Sequence, residues 1–340
     1  MTRILSKAKL LEAAQEWLNA GKQVAGPKMV RQQRALYGWL EQVDDLVLDG
    51  FIRPANSIKS LFLPCHEQLF AFERKGRAVE LVPTELAEQQ RVVLASRPCD
   101  AASLPILDHV FNWDYQDTFY NRRRELTTVV TLACKEHDEF CFCTSVGLAP
   151  DATKGSDVLL LPVSEGTFEV RVVTDKGREL IEPWTEESSL VGQSTPGPPA
   201  RFELEEVQNT LRAGVDDVAW QGAALACVGC GACAHSCPTC HCFDIVDEAT
   251  RDHGCRVRNW DSCQTVMYSM HASGHNPRHD QSKRQRNRIF HKYQTYPDKF
   301  GELLCTGCGA CSRNCPMGLG VRHVLNHVLA APQPSGSANA

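Results

Sequence analysis

The chain has 340 residues, a formal net charge of -5 and a pI near 6.2, which allows two cores and gives no general pull toward nucleic acid or membrane. Its 17 cysteines would suit a disulfide scaffold in a short secreted chain, but Met1-Thr-Arg-Ile-Leu-Ser-Lys7 shows no apolar leader. No apolar run approaches the roughly 20 residues of a bilayer span, so the expectation is a reducing, cytoplasmic setting in which most thiols serve metal.

Ile4, Leu5, Ala8, Leu11, Ala14, Trp17 and Leu18 recur at helical spacing and predict an amphipathic helix over residues 4–20. From Val43 to Val82 short apolar runs are punctuated by Gly50, Pro54, Pro64 and Gly76, the pattern of strands and turns, with Cys65 read as an ordinary thiol. Arg91-Val-Val-Leu-Ala-Ser96 is a strand that ends at Pro98-Cys99-Asp100, and Leu104, Leu107 and Phe111 then keep helical spacing. Thr127-Thr-Val-Val-Thr-Leu-Ala133 repeats the device, ending on Cys134 and followed by Cys141-Phe-Cys143. As parallel neighbours these strands would bring Cys99 and Cys134 to one sheet edge, where ligands collect in open α/β layers, with Asp100 placed to cap the next helix. Cys99, Cys134, Cys141 and Cys143 would then form a third Fe-S site; the alternative is thiols packed as small hydrophobes. Val158 to Val173 reads as a hairpin turning at Gly166.

Beyond Trp184 the composition changes to a stretch rich in Pro, Gly and Ser, which reads as a linker over 185–200. Phe202 to Leu211 and Val215 to Ala226 read as helices that lead into Cys227-Val-Gly-Cys230-Gly-Ala-Cys233-Ala-His-Ser-Cys237-Pro238. The same pattern returns as Cys305-Thr-Gly-Cys308-Gly-Ala-Cys311-Ser-Arg-Asn-Cys315-Pro316. Both are C-x2-C-x2-C-x3-C-P runs, the spacing by which two-cluster ferredoxins hold 4Fe-4S cubanes, and they point to electron transfer. In that pattern the fourth Cys crosses over, giving one cluster on Cys227, Cys230, Cys233 and Cys315 and another on Cys305, Cys308, Cys311 and Cys237. Structural zinc uses paired knuckles and leaves the third Cys and the Cys-Pro step without a role.

The long stretch between the runs is more than a small ferredoxin needs. Helical patterning at Phe243–Thr250 and Val321–Ala330 favours a helical module. Cys240, Cys242, Cys255 and Cys263 could supply another site, although the first two lie close enough to Cys237 simply to pack against a cubane. Arg278, Lys283, Arg284, Arg286, Arg288 and Lys292 form a basic run that could dock an acidic partner or offset thiolate charge. Nucleic acid is disfavoured because only Phe290 and Tyr293 interleave with these charges, and no helix-turn-helix supports a redox-sensing regulator. His253, His271, His275, His279 and His291 show no ligand spacing and read mostly as surface residues. The tail 332–340 reads as disordered.

Cys237-Pro-Thr-Cys-His-Cys-Phe243, Trp260-Asp-Ser-Cys-Gln264, Gly274-His-Asn-Pro-Arg278, Arg286-Asn-Arg288, Pro98-Cys-Asp100 and Cys141-Phe-Cys143 together resemble the beta subunits of cytoplasmic sulfhydrogenases, the NAD(P)-linked [NiFe] hydrogenases. The iron-sulfur electron-transfer subunit of anaerobic sirohaem sulfite reductases is similar over the same span, about Leu61 to Ala330. The resemblance implies a non-catalytic relay between a flavin subunit that binds NAD(P) and the small and large hydrogenase subunits, or the sulfite reductase subunits in the second family. It also places Cys99, Cys134, Cys141 and Cys143, and likewise Cys240, Cys242 and Cys263, on matching positions; Cys65 and Cys255 match nothing, which argues against a fourth cluster using Cys255. The expected fold is α+β: a mixed α/β domain over 1–184, the linker, a mostly helical two-cluster ferredoxin-type domain over 201–331, and the tail. The expected cofactors are two 4Fe-4S clusters and a third Fe-S cluster. No G-x-G-x-x-G follows a strand, so flavin and hydrogen chemistry belong to partners.

Overall fold

Arg91–Ser96 and Thr127–Leu132 are buried along almost their whole lengths, as expected of central parallel strands covered on both faces. The computed structural model describes residues 2–30, 34–215 and 217–331 and builds two sheets around them. The expected disordered tail lies outside the described residues. In chain order the strands are β1 (Thr2–Ser6), β2 (Gln23–Val30), β3 (Arg34–Trp39), β4 (His66–Lys75), β5 (Ala78–Pro83) and β6 (Arg91–Ser96). They continue with β7 (Thr127–Leu132), β8 (Val158–Ser164), β9 (Thr167–Val172), β10 (Glu186–Ser188), β11 (Phe243–Ala249) and β12 (His253–Trp260).

The helices are α1 (Lys7–Asn19), α2 (Lys59–Phe62), α3 (Pro98–Ala101), α4 (Ser103–Asn112), α5 (Thr118–Leu126), α6 (Asp175–Ile181) and α7 (Leu204–Ala213). The remaining ones are α8 (Asp217–Ala224), α9 (Ala232–His235), α10 (Gln281–Phe290), α11 (Tyr296–Phe300), α12 (Ala310–Arg313) and α13 (Val321–Leu329).

The large sheet runs β10-β1-β9-β8-β7-β6-β2-β3, with β2, β6, β7 and β8 parallel and antiparallel strands outside them. Alternation along β6 and β7 divides the core. Val92, Leu94 and Val130 face α1 through Leu10, Ala14 and Trp17, whereas Val93 and Val129 pack with Leu104, Phe111 and Tyr120 of α4 and α5. The hairpin expected at Gly166 is present as β8–β9. The fold is thus α+β, and the two expected strand-thiol units stand side by side in parallel, a helix following only the first of them.

Two expected helices are corrected. The first begins later than residue 4, because Thr2–Ser6 pairs with β9 and β10 and Ser6 caps α1 by accepting from Lys9 N at 3.2 Å. Phe243–Ala249 is a strand: its β-branched Ile245 and Val246 pair antiparallel with β12, in register from Phe243↔Trp260 to Ala249↔Gly254. That hairpin joins β4 and β5 in the smaller sheet β11-β12-β4-β5, so the segment between the cysteine runs is tied to the N-terminal part by backbone hydrogen bonds.

Residues 185–200 lie along the large sheet. Glu186–Ser188 pairs with β1, Gln193 N donates to Pro162 O at 3.0 Å, and Thr144 Oγ1 donates to Pro198 O at 2.7 Å. Helices α7, α8, α10 and α13 then enclose a second core on Trp220, Ile289, Tyr293, Val324 and Leu325.

Candidate metal centre

Both cysteine runs bend in the same way. Gly229 and Gly231 have φ of +68° and +73°, and Gly307 and Gly309 have +64° and +69°, left-handed values that a Cβ would strain. After each bend a one-turn helix, α9 or α12, carries Cys233 or Cys311 into the same core as Tyr293 and Trp220. Backbone and side-chain donors point at the sulfurs: Val321 N to Cys311 Sγ at 3.4 Å, Leu319 N to Cys315 Sγ at 3.3 Å, and Gln285 Nε2 to Cys227 Sγ at 3.3 Å. Cys237 is buried, and its charge bears on Cys305 and Cys308 as well as on Cys233, so it stands between the two runs. Cys230 is exposed, and the first run therefore reaches the surface.

The basic run resolves into two sets. Half-buried Lys283 and exposed Arg286 pair with Asp280 and Asp217. Arg288 and Lys292 are each 1% exposed and turn inward. Arg288 NH2 donates to Cys233 O at 3.3 Å, while its Nε and NH1 have no protein acceptor. Lys292 Nζ donates to Cys237 Sγ at 3.4 Å and to Leu304 O at 2.9 Å. Burial alone would lower the pKa of Lys292, but the thiolates of Cys237, Cys240 and Cys305 outweigh it and hold the ammonium above its usual value. Inward cations with unfilled donors fit an anionic sulfur-rich group, so these two residues offset charge and are not free for docking.

The N-terminal thiols also converge. Cys99 opens α3 after β6, Cys134 follows β7, and with Cys141, Cys143, Cys308 and Arg53 they line one pocket with about 450 Å³ of empty space. Phe142 N donates to Gly307 O at 2.9 Å, so this pocket abuts the second run. Burial pushes the Cys143 thiol up to about 11, with the neighbouring Cys134 and Cys141 adding to the rise. Asp100 does not cap the next helix as expected; its fully buried carboxylate takes Arg53 NH2 at 3.0 Å and Tyr37 OH at 3.3 Å. Arg53 keeps Nε and NH1 unpartnered beside the thiols. Arg313 bridges the two sites, donating from Nε to Asp138 Oδ2 at 2.7 Å, from NH2 to Cys141 Sγ at 3.1 Å and from NH1 to Cys308 O at 2.6 Å.

Cys255 lies inside β12 opposite Glu248 and Ala71, away from these groups, whereas Cys65 stands beside Trp260. His253, His271, His275 and His279 are exposed as expected, but His291 is half-buried. Sequence reading missed Arg53, Lys59, Asp138, Gln285 and Arg313, which carried no spacing signal. Among the described residues no three His, Cys, Asp or Glu side chains are gathered about one point as for a single metal ion. No helix among them is long and apolar enough to cross a membrane.

Paired Gly-bent cysteine runs with inward N–H donors and buried cations define the class as dicluster iron-sulfur proteins, and residues 226–319 match the 4Fe-4S dicluster domain family. The chain is also 30% identical over 305 residues to sulfhydrogenase 2 subunit beta of Pyrococcus furiosus, a match covering 85% of this chain and 87% of that protein. No solved structure matches it. The chain belongs to the sulfhydrogenase beta-subunit family.

Proposed function

We infer that the chain is the electron-transfer iron-sulfur subunit of a hydrogenase, relaying electrons between a flavin subunit that binds NAD(P) and the [NiFe] small and large subunits. The observation that carries this is the pair of cysteine runs folded against one core, within a chain of the sulfhydrogenase beta family. Clusters bound there would supply one-electron carriers. Cys227, Cys230, Cys233 and Cys315 hold one 4Fe-4S cluster, and Cys305, Cys308, Cys311 and Cys237 hold the other. Cys99, Cys134, Cys141 and Cys143 hold a third Fe-S cluster.

The residues around these sulfurs set the electrostatics. Val321 N, Leu319 N and the side chains of Gln285, Arg288 and Lys292 donate toward the sulfurs or their loops and favour the more negative, reduced state. The core of Trp220, Tyr293 and Ile289 excludes water, which strengthens each of these interactions. The chain is divided into a mixed α/β part over 1–184, a connecting stretch over 185–200 and a two-cluster part over 201–331, the first and last sharing the smaller sheet β11-β12-β4-β5. The Gly307–Phe142 contact and the Arg313 bridge would couple the third site to the second run.

Affinity purification of the chain from its native host under anaerobic conditions tests the assignment. Nickel and flavin retained in the complex are expected. Sirohaem without nickel would move the chain to a sulfite reductase.

A further inference from the structure

The smaller sheet delivers three segments to one end. β4 begins beside Asn259, β11 begins beside Trp260, and β12 ends there, with Asp261 N donating to Cys242 O at 3.0 Å. Just beyond these strand ends Cys240, Cys242 and Cys263 line one pocket with His241, His291 and Lys292. The thiols of Cys242 and Cys263 are close neighbours, as are those of Cys240 and Cys237. Cys240 and Cys263 are both buried.

A second observation shows what this pocket lacks. Lys59 is 2% exposed, and its Nζ donates to Cys240 O at 2.9 Å and His235 O at 3.4 Å while standing 3.8 Å over the Trp260 ring. Among the described residues no carboxylate forms an ion pair with Lys59, and a buried ammonium held only by neutral partners is costly. Negative charge in the adjoining thiol pocket would compensate it. His241 supplies a further donor atom: its Nδ1 lies 3.0 Å from Thr239 O. A carbonyl can only accept, so Nδ1 carries the proton and Nε2 keeps its lone pair, the arrangement of a metal-bound imidazole fixed by a backbone carbonyl.

We propose that Cys240, Cys242 and Cys263, completed by the His241 imidazole, hold an additional 4Fe-4S cluster, separate from those of the two runs and from the N-terminal pocket. It rests on the reading of the chain as an iron-sulfur electron carrier. Its ligand Cys240 contacts Cys237, so electrons at the second run have a contiguous route to it. Half-buried Cys242, with exposed Met267 nearby in sequence past Cys263, places the site near the surface and gives the relay another port.

The test counts iron and acid-labile sulfide in the full chain purified anaerobically. The Cys242→Ser/Cys263→Ser variant avoids disturbing Cys237 and is expected to lose about four irons per chain while the EPR signals of the other clusters remain. Cys255→Ser, a change inside β12, is expected to keep the wild-type count. A folded double variant with unchanged iron and EPR spectrum would overturn the proposal, as would one stoichiometric zinc in the wild type that this variant loses. Should the double variant fail to fold, the Cys141→Ser/Cys143→Ser chain decides: about twelve irons support the site and about eight exclude it. A wild-type chain without iron or sulfide would sink the electron-carrier reading itself, whereas unchanged iron in the double variant sinks only this site.

Discussion

Lys292→Met removes a buried positive charge at the second cysteine run and nearly conserves volume. Lys292 Nζ lies 3.4 Å from Cys237 Sγ, which puts it roughly 6 Å from the centre of charge of a cluster bound there. At an effective dielectric constant of about 20, unit charges at that separation interact by roughly 2.8 kcal/mol, or about 120 mV for one electron. Reduction adds negative charge, so losing the ammonium makes reduction harder. The cluster on Cys305, Cys308, Cys311 and Cys237 is therefore expected to fall in potential by about 100 mV, and the other clusters by less. Leu304 O keeps Thr239 Oγ1 as donor at 2.9 Å, so the variant leaves no orphaned carbonyl there. The assay is an EPR-monitored redox titration of the full chain, with Lys292→Arg as the charge-preserving control. A fully loaded Lys292→Met chain in which no potential moves would refute the electrostatic reasoning.

Cys237→Ser is expected to damage the cluster on Cys305, Cys308 and Cys311; loss of the Cys227 cluster alone would show local ligation. Gly307→Ala combines a left-handed φ of +64° with a Cβ 2.5 Å from Cys143 Cα, and iron is expected to be lost from both the second run and the N-terminal pocket. Gly301→Ala, at φ +71° with nothing within 4 Å, is expected to cost only about 1–2 kcal/mol in a melting experiment and to keep its iron. At Asp138, burial alone would raise the pKa, but Arg313 outweighs it and holds the carboxyl below the usual range. Its contribution is therefore present above pH about 4 and is lost as pH falls through the lowered value. Asp138→Asn is expected to weaken the visible absorbance of the N-terminal cluster at neutral pH, where the ionised wild-type carboxylate holds Arg313 against Cys141.

Residues whose signal is local were legible in the sequence. The Gly-bent cysteine runs, the strand-thiol units at Cys99 and Cys134 and the hairpin at Gly166 each depend on neighbours within a few positions. Phe243–Ala249 misread as helix because its strand state comes from pairing with β12 and through it with β4, far away in sequence. Asp100 looked like a cap because Arg53, which claims its carboxylate, arrives from a distant loop. Lys59 has no motif at all; only the folded chain sets it under Cys240 and over Trp260. The basic run was visible as charge, but which cations turn inward depends on the face that α10 buries, with Arg284, Arg288 and Ile289 inside.

The most direct test of the relay is EPR on the anaerobic complex containing this chain, frozen after exposure to H2 with no other reductant. The account predicts that H2 reduces the clusters bound by this chain and that added NAD(P) reoxidises them. Clusters that stay oxidised under H2, in a complex whose nickel centre is active, would contradict it.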